Sequence, residues 1–168
     1  MIVGNKESFA IEYEYDINFG GEWLFGKVCY WIFGNAVGNF DLGTSLRDFL
    51  FQMAPIVRDR GNRAGSSFCR EPINNIFEKI DQVLWGESTI DIDLDMPARF
   101  DVRVPVDVFD LWRIYLIDCG DCSLIAYKMT TYPNFIVNSI RVGEFDLVVR
   151  EVYERINKEY EANIGVEF

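Results

Sequence analysis

The sequence predicts an α+β domain in which an antiparallel sheet, built from an N-terminal meander and later strands, packs against two central helices and a long C-terminal helix. Three observations carry this expectation. Apolar side chains alternate with polar ones over much of the first forty or so residues and again from about 90 to 140, the period of a half-buried strand. They recur at three and four positions over roughly 44–57, 72–86 and beyond 143, the period of a helix with one buried face. The two kinds of stretch come in blocks rather than in strict alternation, which is the order of an α+β fold and not of a doubly wound parallel sheet. At 168 residues and 49% apolar, residues 1–168 are expected to form a single domain able to bury a core without cross-links. No repeat, low-complexity tract or linker divides them.

Taken in order, Phe9, Ile11, Tyr13 and Tyr15 alternate with Ala10, Glu12, Glu14 and Asp16 in a first strand, and Asn18-Phe19-Gly20-Gly21 supplies a turn. A second strand, about Glu22 to Phe33, is dense in aromatic residues; Gly34-Asn35 closes it before a short third strand from Val37 to Asp41. Thr44 or Ser45 can cap a helix whose apolar positions include Leu46, Phe49, Leu50, Met53 and Ile56, with Pro55 bending or dividing it. A loop rich in Arg, Gly and Ser runs from Arg58 to Ser67. Pro72 then suits the first position of a second helix, with Ile76, Phe77, Ile80 and Leu84 on one face and an end near Gly86. Strand patterns follow at Ile90–Asp95 and Phe100–Val106, and a hairpin of Leu111–Asp118 and Ser123–Met129 turns around Gly120-Asp121. A last strand is expected near Phe135 to Arg141. Past Gly143, the stripe Phe145, Val148, Val149, Val152, Ile156 and Tyr160 marks the long C-terminal helix.

Composition narrows the chemistry. The chain has no histidine and 27 acidic residues against 16 basic ones, a net charge of −11. Without histidine there is no Ser-His-Asp triad, no Cys-His pair and no His-ligated zinc, so catalysis would have to rest on carboxylates, tyrosines or thiols. A field of that sign favours a cationic partner and disfavours nucleic acid and anionic membranes, although an acidic surface also serves solubility alone. No apolar run reaches the length of a membrane span, and the N-terminus lacks a basic segment followed by an apolar one, so a cytoplasmic protein is expected. In that compartment Cys29, Cys69, Cys119 and Cys122 are expected to be reduced thiols.

Four constellations could carry chemistry. Cys119-Gly120-Asp121-Cys122 has the spacing of a redox pair but lies in an expected hairpin, where no helix N-terminus activates a thiol, so two incidental thiols are the favoured reading. The four cysteines together supply one chelating pair, which argues against structural zinc. Asp91-Ile92-Asp93-Leu94-Asp95 opens like a calcium loop, yet Met96 stands where glycine is needed and Val102 where the final acid is needed. There is no P-loop and no dinucleotide-binding glycine fingerprint, so neither metal nor cofactor is expected. Residues 87–121 nevertheless hold nine acids against three bases, more than half of the chain's excess negative charge. Asp91, Asp93 and Asp95 share one strand face, and Asp107, Asp110, Asp118 and Asp121 follow. This stretch is either a solvated face or a docking surface for a basic protein, with Phe109, Trp112 and Tyr115 as candidate anchors in the second case and as core in the first. The aromatic segment Gly20-Gly21-Glu22-Trp23-Leu24-Phe25-Gly26 is read as core packing in preference to a stacking platform.

The ordered series Ile2-Val3-Gly4-Asn5, Ser8-Phe9-Ala10-Ile11-Glu12, Gly21-Glu22-Trp23, Tyr30-Trp31-Ile32, Asp41-Leu42-Gly43-Thr44-Ser45-Leu46 and Gly143-Glu144-Phe145-Asp146 resembles the immunity protein 42 family of bacterial polymorphic toxin systems. The resemblance spans most of the chain and is sharpest in the first fifty or so residues. It implies a small cytoplasmic α+β protein, encoded beside a toxin, that binds and neutralises that toxin's C-terminal domain. The family brings no active-site residues. Its implication agrees with the charge, since an acidic inhibitor can be steered to a basic substrate cleft and cover it. The expected function is therefore a non-enzymatic immunity protein whose partner is a basic toxin domain. The alternative is a small carboxylate-dependent enzyme or ligand-binding domain with an aromatic-lined pocket.

Overall fold

The N-terminal alternation folds as an antiparallel sheet. In the computed structural model, which describes residues 1–16, 18, 21–65, 72–86 and 97–164 (backbone alone at 73, 74 and 164), its strands are β1 (Ile2–Gly4), β2 (Phe9–Tyr15), β3 (Phe25–Ile32), β4 (Asn35–Val37) and β5 (Thr44–Ser45). The order is β1-β2-β3-β4, and β5 pairs with the start of β3. The central register sets Phe9 opposite Ile32, Glu12 opposite Cys29 and Tyr15 opposite Gly26. Phe9, Ile11 and Tyr13 are buried as the period-two pattern requires.

Three boundaries differ from the sequence expectation. The second strand begins at Phe25 rather than Glu22, because Gly21–Trp23 forms a 3-10 turn and Leu24 takes a left-handed φ of 47°. The β3–β4 turn is Phe33-Gly34, with φ of 48° and 75°; two left-handed residues match the twist of a two-residue hairpin, so Asn35 already belongs to β4. The third strand therefore covers Asn35–Val37 and not Val37–Asp41, where Phe40–Leu42 makes a second 3-10 turn.

Helix α1 (Leu46–Arg58) starts as its cap predicts, the backbone N–H of Asp48 donating to Ser45 Oγ at 3.1 Å. Pro55 lies in its later part and does not divide it. Helix α3 (Glu144–Ile164) buries Phe145, Val148, Val149, Val152 and Ile156, and packs on α1, β1 and β2. Its Phe145 ring lies 4.8 Å from that of Phe9. These elements, with Val104–Asp110, make one compact unit. The expected strand at Phe100–Val106 is absent: Pro97–Phe100 and Asp107–Phe109 are 3-10 turns, and Asp101 makes a single bridge to Tyr115. Phe109 is fully buried, with ring centroids 4.7 Å from Tyr30 and 6.5 Å from Phe49.

The second unit, Asp59–Arg103 with Leu111–Gly143, carries α2 (Ile73–Trp85) and a three-stranded antiparallel sheet, β6 (Trp112–Asp118), β7 (Ser123–Met129) and β8 (Ile136–Ile140). Pro72 sits at the N-cap of α2 and the Gly86 N–H donates to the Gln82 carbonyl at its end. Ile76, Phe77 and Ile80 of α2 form a core with Phe100, Tyr115, Ile117, Leu124, Ala126 and Phe135. The β6–β7 hairpin turns around Gly120-Asp121 as the sequence predicts. The expectation of four reduced thiols is corrected at one of them: Cys29 and Cys122 are free, but Cys119 is disulfide-bonded. Among the described residues, no helix is long and apolar enough to cross a membrane.

Candidate functional site

The aromatic segment expected in the core turns outward. In β3, Val28, Tyr30 and Ile32 share one face and are buried; Leu24, at the same parity, is buried too. Phe25 falls on the other parity, with Lys27, and is 44% exposed; Trp23, in the 3-10 turn that precedes the strand, is 43% exposed. Two hydrogen bonds hold this segment to the start of α1: Ser45 Oγ donates to the Trp23 carbonyl at 3.1 Å, and the Leu46 N–H donates to the Leu24 carbonyl at 3.0 Å. Above them the Arg47 guanidinium lies 3.4 Å from the Trp23 ring centroid while reaching Asp48 at 3.2 Å. The indole is thereby fixed as a stacking surface for a cation.

Two hollows flank Phe25, and both Phe25 and Thr44 line each of them. The first, about 700 Å³, carries the carboxylates Glu14, Asp16 and Asp41 with Leu42 and Tyr15. Its one basic side chain among the described residues, Lys27, stands 3.9 Å from an Asp41 carboxylate that is 94% exposed. The buried Tyr15 Oη makes no hydrogen bond among the described residues, and burial raises its pKa. The second hollow, about 440 Å³, is lined by Trp23, Asp48, Gln52 and Asp107, and no basic side chain lines it among the described residues. Carboxylates thus rim an apolar centre on both sides, an arrangement suited to a lysine or arginine set beside apolar surface.

The residues singled out from the sequence are spread over both units. Asp91, Asp93 and Asp95 lie outside the described residues. Asp107 and Asp110 are exposed at the two ends of one 3-10 turn, joined by the Asp110 N–H donating to the Asp107 carbonyl at 3.2 Å. Asp107 belongs to the second hollow. Asp118 and Asp121 stand at the turn end of the β6–β7 hairpin, where Asp121 is exposed and Asp118 accepts from the buried Ser123 hydroxyl at 2.5 Å. Trp112 begins β6, at the far end from that turn, and is half-buried with its ring 6.3 Å from Tyr127. Two of the three expected anchors are core residues instead: Phe109 and Tyr115 are both fully buried. Parity explains Tyr115, since Ile117 lies on the same face of β6 and α2 covers it.

Sequence reading also missed a charged network that organises the second unit. Arg113 and Lys128 sit directly opposite each other across β6 and β7, an unfavourable pairing of like charges. Asp81 of α2 answers both, at 3.5 Å from Arg113 and 2.8 Å from Lys128, and accepts from Tyr115 Oη at 2.6 Å. The Tyr115 pKa is raised, first by burial and then by this bond to a carboxylate. Trp85 receives the guanidinium groups of Arg113 and Arg103, 4.2 Å and 5.2 Å from its ring. On the other unit, Glu12 accepts from Lys6 at 2.6 Å and from Trp31 Nε1 at 2.7 Å; the Lys6 bond is the main reason its pKa lies below the ordinary 4.5. Asp81, Arg113, Lys128 and Tyr115 in the one unit, and Glu12, Lys6 and Trp31 in the other, are partnered with one another, which marks them as structural. Among the described residues, no group of three or more carboxylates or thiols is placed to hold a metal ion.

Comparison with known proteins yields three findings. The fold is similar to that of a solved structure, CdiI from Burkholderia dolosa AUO158, with a TM-score of 0.73 and 16% identity over 92% of this chain and 99% of that one. No curated protein matches the sequence. The family model for immunity protein 42 matches residues 1–158. With nearly its whole length covered by that match, the chain belongs to the immunity protein 42 family.

Proposed function

We propose that this chain is a non-enzymatic immunity protein that acts in the cytoplasm by binding and neutralising a cognate toxin C-terminal domain, with an acidic surface meeting a basic one. The observation that carries this reading is membership of the immunity protein 42 family over residues 1–158. The fold likeness to a CdiI supports it, and the net charge of −11 supplies the electrostatic half of the argument. Asp91, Asp93, Asp95, Asp107, Asp110, Asp118 and Asp121 contribute to the field that draws in a basic toxin. Rim charges of this kind act mainly on the rate of encounter. Trp112, half-buried, is the one remaining anchor of those the sequence singled out.

The test is co-expression with the toxin domain encoded beside the gene. Growth should be rescued by this protein and not by an empty vector; equal killing in both cultures removes the reading. In association kinetics, changing Asp91, Asp93 and Asp95 together to Asn should slow binding and flatten its salt dependence. Unchanged on-rates would withdraw that stretch from the encounter surface.

A further inference from the structure

Resting on that reading, we propose that the toxin domain docks on the platform formed by Trp23 and Phe25, presenting lysine or arginine side chains to the carboxylate-rimmed hollows on either side. Two adjacent aromatic side chains, each more than two-fifths exposed, keep apolar surface in contact with water. Aromatic residues at the centre of a patch with charges around it are the usual composition of a binding hot spot. The segment is also held in place before any partner arrives, through the Ser45 and Leu46 hydrogen bonds and the stacked Arg47, which lowers the ordering cost of association.

Charge complementarity selects the occupant. Among the described residues, Glu14, Asp16 and Asp41 line one hollow against Lys27, and Asp107 lines the other with Asp48, which Arg47 partly answers. Such a rim repels phosphate-bearing partners, nucleic acid and anionic membrane alike, and a second copy of a chain with net charge −11 would meet like charge. A basic protein surface meets neither objection. The Arg47 guanidinium on the Trp23 ring already displays the contact that a partner's arginine would make at the exposed remainder of the platform.

The experiment measures binding of the purified, catalytically inactivated toxin domain to wild type, Trp23→Ala, Phe25→Ala and the double variant Asp48→Asn/Asp107→Asn, with a thermal melt of each. Alongside it, hydroxyl-radical footprinting of the wild-type protein, free and toxin-bound, reads Trp23 and Phe25 without any substitution. The proposal expects each aromatic truncation to weaken binding by roughly 30-fold or more, chiefly through faster dissociation. The Asn pair should slow association and reduce its salt dependence. Trp23 and Phe25 should lose reactivity on toxin binding. If wild type binds tightly while both aromatics stay reactive and the folded variants bind within about threefold of it, the platform is overturned and the immunity function stands. If wild type neither binds nor neutralises the toxin, the function itself fails and the platform with it. Protection of Trp23 that rises with protein concentration in the absence of toxin would assign the face to self-association and overturn the proposal.

Discussion

The Arg47 guanidinium lies 3.4 Å from the centroid of the Trp23 ring, and that contact joins the first turn of α1 to the loop that opens β3. Arg47 is a charged side chain only 17% exposed, so much of its aliphatic stem is also covered. Truncation to Ala should therefore cost about 0.5–1 kcal/mol of stability through lost stacking and packing. Trp23 emission, taken as the difference from a Trp23→Phe variant, should shift to the red as the ring gains water. An unmoved emission would mean that Arg47 does not shield the ring in solution.

Ser45 does two jobs with one hydroxyl. It accepts from the Asp48 N–H as the cap of α1 and donates to the Trp23 carbonyl, both at 3.1 Å. Ser45→Ala should lose about 1 kcal/mol, the usual worth of a cap, measured by urea denaturation. The backbone amides around Trp23 should also exchange hydrogen faster than in wild type. A cap-only role predicts the stability loss without the local exchange.

Asp81 carries the polar organisation of the second unit. Asp81→Ala leaves Tyr115 Oη without its acceptor and sets Arg113 against Lys128, which should destabilise by about 2–4 kcal/mol. Tyr115→Phe should cost about 1 kcal/mol. Because the two residues share one bond, the double variant should lose less than the sum of the single losses. Additive losses by chemical denaturation would show that the bond contributes nothing of its own.

Glu12 sets a pH dependence whose sign follows from its lowered pKa, caused first by the Lys6 hydrogen bond, with the Trp31 bond acting in the same direction against burial. A carboxyl that holds its proton less tightly when folded adds stability above its ordinary value of 4.5 and loses that contribution as pH falls through the lower, folded value. Glu12→Gln should therefore be less stable than wild type at about pH 7, with the gap closing as pH falls below 4.5 through the folded value. A gap in melting temperature that stays constant across this range would place the effect of the substitution in packing rather than in charge.

Much of the fold was legible from periodicity. The apolar stripes of α1 and α3, the Ser45 cap, the end of α2 at Gly86 and the β6–β7 hairpin follow from local rules, because helix spacing, caps and turn glycines depend on near neighbours alone. Absence of histidine and the excess of acid were likewise complete in the sequence, and with them the class of partner that charge favours. The direction of the aromatic segment was half legible: Lys27 shares its parity with Phe25, a sign of the outward face that aromatic density obscured, whereas Trp23 lies in a 3-10 turn that the pattern did not announce.

Tertiary structure decided what local pattern could not. The stretch Phe100–Val106 alternates as a strand should, yet it gains no ladder beyond the Asp101–Tyr115 bridge, because a strand needs a partner and sequence does not name one. Phe109 and Trp112 look alike as exposed-anchor candidates three residues apart. Only packing buries the first against Tyr30 and Phe49 and leaves the second half-covered. Asp81 and Tyr115 are 34 residues apart and meet at 2.6 Å because α2 lies on one face of β6 and β7. Residue type and spacing thus determined the elements and the sign of the surface. Which side chains meet, and which aromatics remain in water, was settled by contacts between distant segments, whose energies exist only once the chain has folded.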